Sequence, residues 1–180
     1  MSHEYARPIS AKSLTKMALC VALCCISAYL SIPLPFTTAV ITALTAVMCL
    51  TAFFLTPKQT FFVIAAWLLL GAIGLPVYVN GSSGFGRLFG PTGGFLWGFL
   101  VAYPIVSYLK GIHNDGKRFI AAGLVSIPIT YAGGVLSMMA VLGIGFWEAC
   151  IMAVFPFIPG DIVKILFAAF VGVKLNNVLE

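Results

Sequence analysis

The stretch RFIAAGLVSIPITYAGGVLSMMAVL, residues 118–142, carries a single charge, Arg118, at its first position. A helix needs about 20 mostly apolar residues to cross the hydrocarbon core of a bilayer. This stretch has that length and that composition, and it reads as a membrane span. Its Pro128 and its Gly133–Gly134 pair predict bending or close packing. If one such stretch crosses a membrane, bilayer is the solvent against which the rest of the chain is read.

Composition agrees. Of 180 residues, 61% are hydrophobic and 8% charged, whereas a soluble domain carries roughly 25% charged residues. There is too little charge to cover a water-facing surface. The net charge of +5 does not point to nucleic acid, because the basic residues are scattered at the ends of apolar runs. Cys20, Cys24, Cys25, Cys49 and Cys150 all lie inside apolar segments, with no histidine near them and no zinc-site spacing. They are expected to be small buried residues, and no metal or other cofactor is expected. The basic residues ahead of the first apolar run are expected to precede a retained helix, not a cleaved signal peptide, because further spans follow.

Working outward from residues 118–142 gives six spans. The first covers about 14–32 and stops at Pro33 and Pro35. The second covers about 38–55, the third about 59–74, and the fourth about 94–109 with Pro104 inside it, a proline that a membrane helix absorbs as a kink. After the fifth, residues 146–155 are too short to cross, about 15 Å as a helix, and FPFIPGD (155–161) breaks the chain. The sixth span then runs from Asp161 to about Lys174. Basic residues favour cytoplasmic loops. With both termini inside, Arg7, Lys12, Lys16, Lys58, Lys110, Lys117, Arg118 and Lys174 all fall on the cytoplasmic side. The expected fold is therefore an all-α integral membrane protein. It is a bundle of six transmembrane helices with both termini cytoplasmic and a long outer loop between helices 3 and 4. Residues 1–180 are expected to form a single membrane-embedded substrate-binding domain in the cell membrane.

That outer loop contains NGSSGFGRLFGPTGGF (80–95), with six of the chain's 18 glycines. At roughly 18 residues it is long, and long loops are often lids or binding loops. Phe85, Leu88 and Phe89 suit a lid that packs over a ligand. Arg87 and Lys164 are the two basic residues that escape the charge rule, and Glu148 and Asp161 share their side. An ionisable residue at membrane depth is a functional candidate. Asp161 and Lys164, at i and i+3, share one helix face, just after Pro159–Gly160, where free N–H groups of a helix start are expected. With Asn80 and Arg87 from the loop they are expected to line one pocket open to the outside. The alternative is that Asp161 caps the helix and pairs with Lys164 for structure alone. Tyr78 and Trp97 flank the loop, as cavity walls or as interfacial anchors.

Several functions are excluded. GSSG (81–84) matches an intramembrane serine protease motif, but that chemistry needs a histidine base. His3 and His113 are both expected on the opposite side. Gly84-Phe85-Gly86 follows no strand and has the wrong spacing for a nucleotide loop. With no Walker lysine motif, the chain is not expected to hydrolyse ATP, and no enzyme activity is expected. A secondary carrier or channel is an alternative, but such proteins often show internal repeats and a polar path across the membrane; here the polar residues lie on one side only. Ala18-x-x-x-Ala22 in the first span lets another helix approach closely in lipid, either within the bundle or from a partner.

Asn80 and Arg87, the run GPTGGFLWGF (90–99), and the pattern of Pro159, Gly160, Asp161 and Lys164 on a six-span chain resemble the BioY family. These are biotin-specific substrate-binding components of energy-coupling factor transporters. The resemblance implies capture of biotin from outside, with no catalysis. It implies a transmembrane coupling protein and two cytoplasmic ATPases as partners, with Ala18 and Ala22 meeting the coupling protein. It also implies that Asn80, Arg87, Asp161 and Lys164 bind substrate, with Tyr78 and Trp97 beside them as walls or as interfacial anchors. Biotin's ureido ring offers N–H donors and a carbonyl, and its tail ends in a carboxylate. A site for it needs an acceptor, such as Asp161, donors, such as Asn80 and Lys164, and a cation for the tail, such as Arg87; the residues alone leave open which of them meets which end of the ligand.

Overall fold

The computed structural model describes residues 10–33 and 40–179. Seven α-helices, one small two-stranded sheet and two short 3-10 helices, Val79–Gly81 and Phe85–Phe89, make up the regular structure among them. Helix α1 (Ala11–Ser27) starts at Ser10, whose hydroxyl accepts from the Ser13 N–H, 3.2 Å. It ends sooner than expected, because the chain turns at Ala28 and enters strand β1 (Ser31–Pro33), paired antiparallel with β2 (Val40–Thr42). Val40-Ile41-Thr42, all β-branched, favours extended backbone. Helix α2 therefore begins only at Leu44 and runs to Phe54, 11 residues where 18 were expected. Thr42 Oγ1 caps it, accepting from the Leu44 N–H at 2.7 Å. Pro35 and residues 38–39 lie outside the described residues, as do His3 and Arg7.

Helix α3 (Pro57–Ala72) opens on a full capping box. Thr56 Oγ1 accepts from the Gln59 N–H, and the Gln59 side chain accepts from the Thr56 N–H. Pro57 takes the first helical position, where a missing N–H costs nothing. Helices α4 (Gly93–Leu109) and α5 (Gly116–Leu142) follow the expected spans closely. The last region departs from expectation. Helix α6 (Phe146–Ala153) is bent by 45° from α7 (Ile158–Leu179). Helix α7 begins three residues before Asp161, because the Asp161 N–H donates to the Phe157 carbonyl at 2.8 Å. Glu148, which had no assigned role, accepts from the Gly145 N–H and satisfies the start of α6.

The α4–α5 pair is the tightest contact. A Cβ on Gly94 would sit 1.9 Å from the Gly133 carbonyl oxygen, and one on Gly98 would sit 2.9 Å from Thr130 Cα. One on Gly134 would meet the Phe95 ring at 2.2 Å. The expectation of close packing at Gly133–Gly134 holds, and its partner is α4. The main core joins Met48 and Phe53 of α2, Trp67 of α3, Phe99 and Tyr103 of α4, Phe119 of α5 and Ala168 of α7. Phe53 stacks on Phe119, 4.5 Å between centroids. Four of the five cysteines are buried, the fifth half-buried, and all are free. Lys110 and Ser107 close the far end of α2. The Lys110 ammonium donates to the carbonyls of Phe53 and Leu55 at 2.5 and 2.8 Å, and Ser107 donates to Leu55. These are carbonyls a helix end leaves without partners.

The outside of the bundle is apolar. Leu19 and Ile26 on α1, Phe62 and Leu69 on α3, Leu136 on α5 and Phe167 and Phe170 on α7 all face outward. By length and composition, α5 is one helix able to cross a membrane, and the bent α6–α7 pair passes the same test as a unit.

Candidate functional site

The site begins with a turn. Asn80 and Gly81 have φ of 59° and 66°. Two successive left-handed residues make the tight hairpin turn that Asn-Gly favours. Tyr78 and Ser82 bridge across it, with the Tyr78 N–H donating to the Ser82 carbonyl at 3.0 Å. The turn is anchored below by Tyr78, which is buried. Its hydroxyl donates to the Leu68 carbonyl, and its ring fills the space over Gly71, where a Cβ would overlap it at 2.1 Å. Ser31 of β1 donates to the Asn80 side-chain oxygen, and the Asn80 N–H donates to the Ala28 carbonyl at 3.2 Å. The hairpin and the 78–82 turn thus meet on one rim.

A second turn, residues 85–89, carries Arg87. Two side chains hold its backbone. The Trp97 indole N–H donates to the Leu88 carbonyl at 3.0 Å, and Ser137 donates to the Gly90 carbonyl at 2.8 Å. Leu88 is buried, while Phe85 and Phe89 are exposed and lie against each other, 5.2 Å between centroids. The loop packs through the buried Leu88 and through Phe89, whose ring lies 6.3 Å from that of Trp97.

Beneath these turns lies a cavity of about 260 Å³. Its rim holds Asn80, Ser82 and Arg87. Its walls are Tyr78 and Val79, Phe95, Leu96 and Phe99 from α4, and Phe157. Its sheltered end holds Thr42 and Thr45, Thr130 and Tyr131 of α5, and Asp161 and Lys164 of α7. Asp161 is 9% exposed, and its carboxylate binds groups from three helices. Lys164 Nζ lies 2.9 Å from Oδ1, Thr45 donates to Oδ1 at 3.4 Å, and Tyr131 donates to Oδ2 at 2.8 Å. A smaller void of about 10 Å³ lies behind the pair, bordered by Cys49, Tyr103 and Ser126. The alternative role of Asp161 as a helix cap does not fit: its carboxylate is turned to Lys164, Thr45 and Tyr131, and its own N–H is already inside the helix.

The cavity brings together Tyr78, Asn80, Arg87, Asp161 and Lys164. Trp97 is not among its lining residues; it is 43% exposed and holds the Leu88 carbonyl from outside. Helix geometry accounts for this. At 100° per residue, Phe95, Leu96 and Phe99 share one face of α4 and Trp97 falls on the opposite one. Residues 130–131 went unnoticed in the sequence. Two consecutive hydroxyl-bearing residues in the middle of a span were the available signal. Ala18 and Ala22 are exposed on α1, away from the cavity, among the outward Leu14, Leu19, Leu23 and Ile26.

The site offers a fixed anion beside a fixed cation at the closed end, apolar walls, and a free cation at the mouth. Among the described residues no group of three or more His, Cys, Asp or Glu side chains is placed to hold a metal. An apolar-coated helical bundle around one such one-ended cup defines a membrane-embedded solute-binding protein. The chain belongs to the BioY family, whose model matches residues 1–180. It is 31% identical to the "Biotin transporter BioY" of Thermotoga maritima over 92% of this chain and 96% of that protein. It is 34% identical to the "Biotin transporter BioY2" of Lactococcus lactis over 93% and 92%. The fold matches the crystal structure, at 2.1 Å, of the S-component for biotin from an ECF-type ABC transporter. The TM-score is 0.86, at 23% identity, over 96% of this chain and 95% of that one. The family is one of transporters, not enzymes.

Proposed function

We propose that this protein captures biotin from the outer side of the cell membrane as the substrate-binding component of an ATP-driven importer. The observation that carries this reading is the Asp161–Lys164 pair at the closed end of the cup, in a chain of the BioY family. A ureido ring presents N–H donors beside a carbonyl acceptor, and the pair presents an acceptor beside a donor. Ionised partners give the stronger hydrogen bonds. The apolar walls suit the thioether ring and the aliphatic tail, and Arg87 at the rim suits the carboxylate. Biotin accordingly enters ureido-first.

Six crossings with both termini cytoplasmic remain the reading of topology, with α6 and α7 forming one broken span. The short α2 fits it. Eleven residues reach only about 16 Å, but α2 begins at the floor of the cup. Non-helical backbone is tolerated at membrane depth where it lines a water-filled cavity. The cup then opens outward, and the alanine face of α1 is available to a transmembrane coupling protein that works with two cytoplasmic ATPases.

The test is binding by the purified chain with no ATPase present. Titration calorimetry should give one biotin per protein with tight affinity; nanomolar binding corresponds to about −12 kcal/mol. No binding of biotin, with tight binding of another vitamin, would leave the cup standing and discard the substrate.

A further inference from the structure

We infer that Tyr131 is the positioning residue for Asp161, fixing how that carboxylate meets the ligand. The inference rests on the reading of the cup as a biotin site. An ionised carboxylate has about four lone-pair directions, two on each oxygen. Here three are taken. Lys164 and Thr45 occupy Oδ1, at 2.9 and 3.4 Å, and Tyr131 occupies one direction on Oδ2 at 2.8 Å. One direction on Oδ2 is left, and there Asp161 accepts a ligand N–H. Beside it the Lys164 ammonium keeps two donors that no other group in the described residues takes. The sheltered end therefore recognises an adjacent N–H and carbonyl, one edge of a cyclic urea.

The geometry that leaves this single vacancy is held by Tyr131. With donors on both oxygens from three different helices, the carboxylate plane cannot rotate. Remove the phenol and both remaining donors pull on Oδ1, from Lys164 and Thr45. The carboxylate is then free to swing and chelate the ammonium, which withdraws its acceptor and the lysine's donors together. Tyr131 is itself rigidly placed. It is 7% exposed, its ring meets Phe95 edge-on at 6.4 Å, and Phe95 lies over Gly134 in a space that any Cβ would close.

The test is Tyr131→Phe, which keeps the ring, made both in the native chain and in an Asp161→Asn background. Biotin affinity is measured on detergent-purified, monodisperse protein. In the native chain the substitution should weaken binding at least about 10-fold, as loss of a hydrogen bond to a charged group does. In the Asp161→Asn background it should weaken binding less than about twofold, because residues that act as a unit are not additive. An equal loss in both backgrounds, or no loss in the native chain, overturns the proposal: Tyr131 would then act by packing or on the ligand directly. A second measurement needs no ligand. The infrared carboxylate band of Asp161, assigned as the difference between native and Asp161→Asn protein, should shift in Tyr131→Phe. An unmoved band overturns the proposal. If the native chain binds no biotin, the substrate reading falls and the infrared band alone decides the role of Tyr131.

Discussion

At the scale of single residues, Asp161 and Lys164 were legible and Tyr131 was not, for one physical reason. A charge inside an apolar chain announces itself, because burying it without a partner is expensive. A tyrosine in a long apolar run reads as part of the run until helix phase is known. Phase also decides Trp97, one residue past the cavity-facing Leu96 and on the wrong side of α4. The consequence for Asp161 is testable. Asp161→Asn keeps the shape, leaves Lys164 without its counter-charge, and takes a charged acceptor from the ligand. Binding should fall roughly 10-fold to 150-fold, the equivalent of about 1.5–3 kcal/mol, while the folded yield changes less. Normal binding by a variant that unfolds in detergent would make Asp161 structural. Arg87 should behave differently. It lies exposed at the mouth, and among the described residues no carboxylate pairs with it. Exposed charge pairs contribute about 0–1 kcal/mol, so Arg87→Gln should cost roughly fivefold or less in affinity. That loss should appear mainly in the association rate and shrink as salt is raised. A large, salt-independent loss in the dissociation rate would move Arg87 into the body of the site.

At the scale of elements, the apolar runs located α3, α4 and α5 to within two residues, but not where α1 ends or where α2 and α7 begin. All three errors arise where the chain borders the cup. Val40-Ile41-Thr42 is apolar enough to extend a span yet forms a strand, because hydrophobicity alone does not distinguish helix from strand over so few residues. Pro159 at the second position of α7 was read as a break, although proline is tolerated in a first helical turn. The glycines were more informative. In lipid, helices associate through close packing of small residues and not through the hydrophobic effect. Gly94 against Gly133 is the closest such contact in the fold. Gly94→Ala must push α4 from α5, and overpacking of this kind costs about 1–3 kcal/mol. The thermal midpoint in detergent should drop by several degrees. Because Phe95 and Tyr131 sit on either side of that contact, biotin affinity should drop with it. Gly86→Ala, where a Cβ meets nothing within 4 Å, is the control and should change neither.

At the scale of the whole molecule, the first helix joins the cup to an outward apolar face. Residues 27–33 lead into the cup rim, while Ala18 and Ala22 lie about one and a half to two and a half turns before Ser27, on an outward face of α1. The spacing of the alanines was legible; that they face outward was not, because an A-x-x-x-A pair serves an internal helix contact equally well. Their exposure, beside Leu14, Leu19, Leu23 and Ile26 that are each more than half exposed, favours a partner helix. On that reading, binding and transport are separable. A bulky side chain at the alanines should block close approach of the coupling protein, while the cup, built by α2, α4, α5 and α7, keeps its shape. Ala18→Trp and Ala22→Trp should bind biotin within about twofold of the native chain, a change of under roughly 0.5 kcal/mol. They should lose ATP-driven uptake and no longer copurify with the ATPase module. Binding, uptake and copurification belong on the same preparations, since loss of all three would mean only that the bundle has been damaged. Persistence of uptake and of the complex would return the alanines to packing within lipid. Liposomes holding the native chain alone, without ATP, supply the opposing control. Biotin reaching equilibrium across them at a useful rate would mean that the chain is a carrier in its own right and that the one-ended cup opens to both sides.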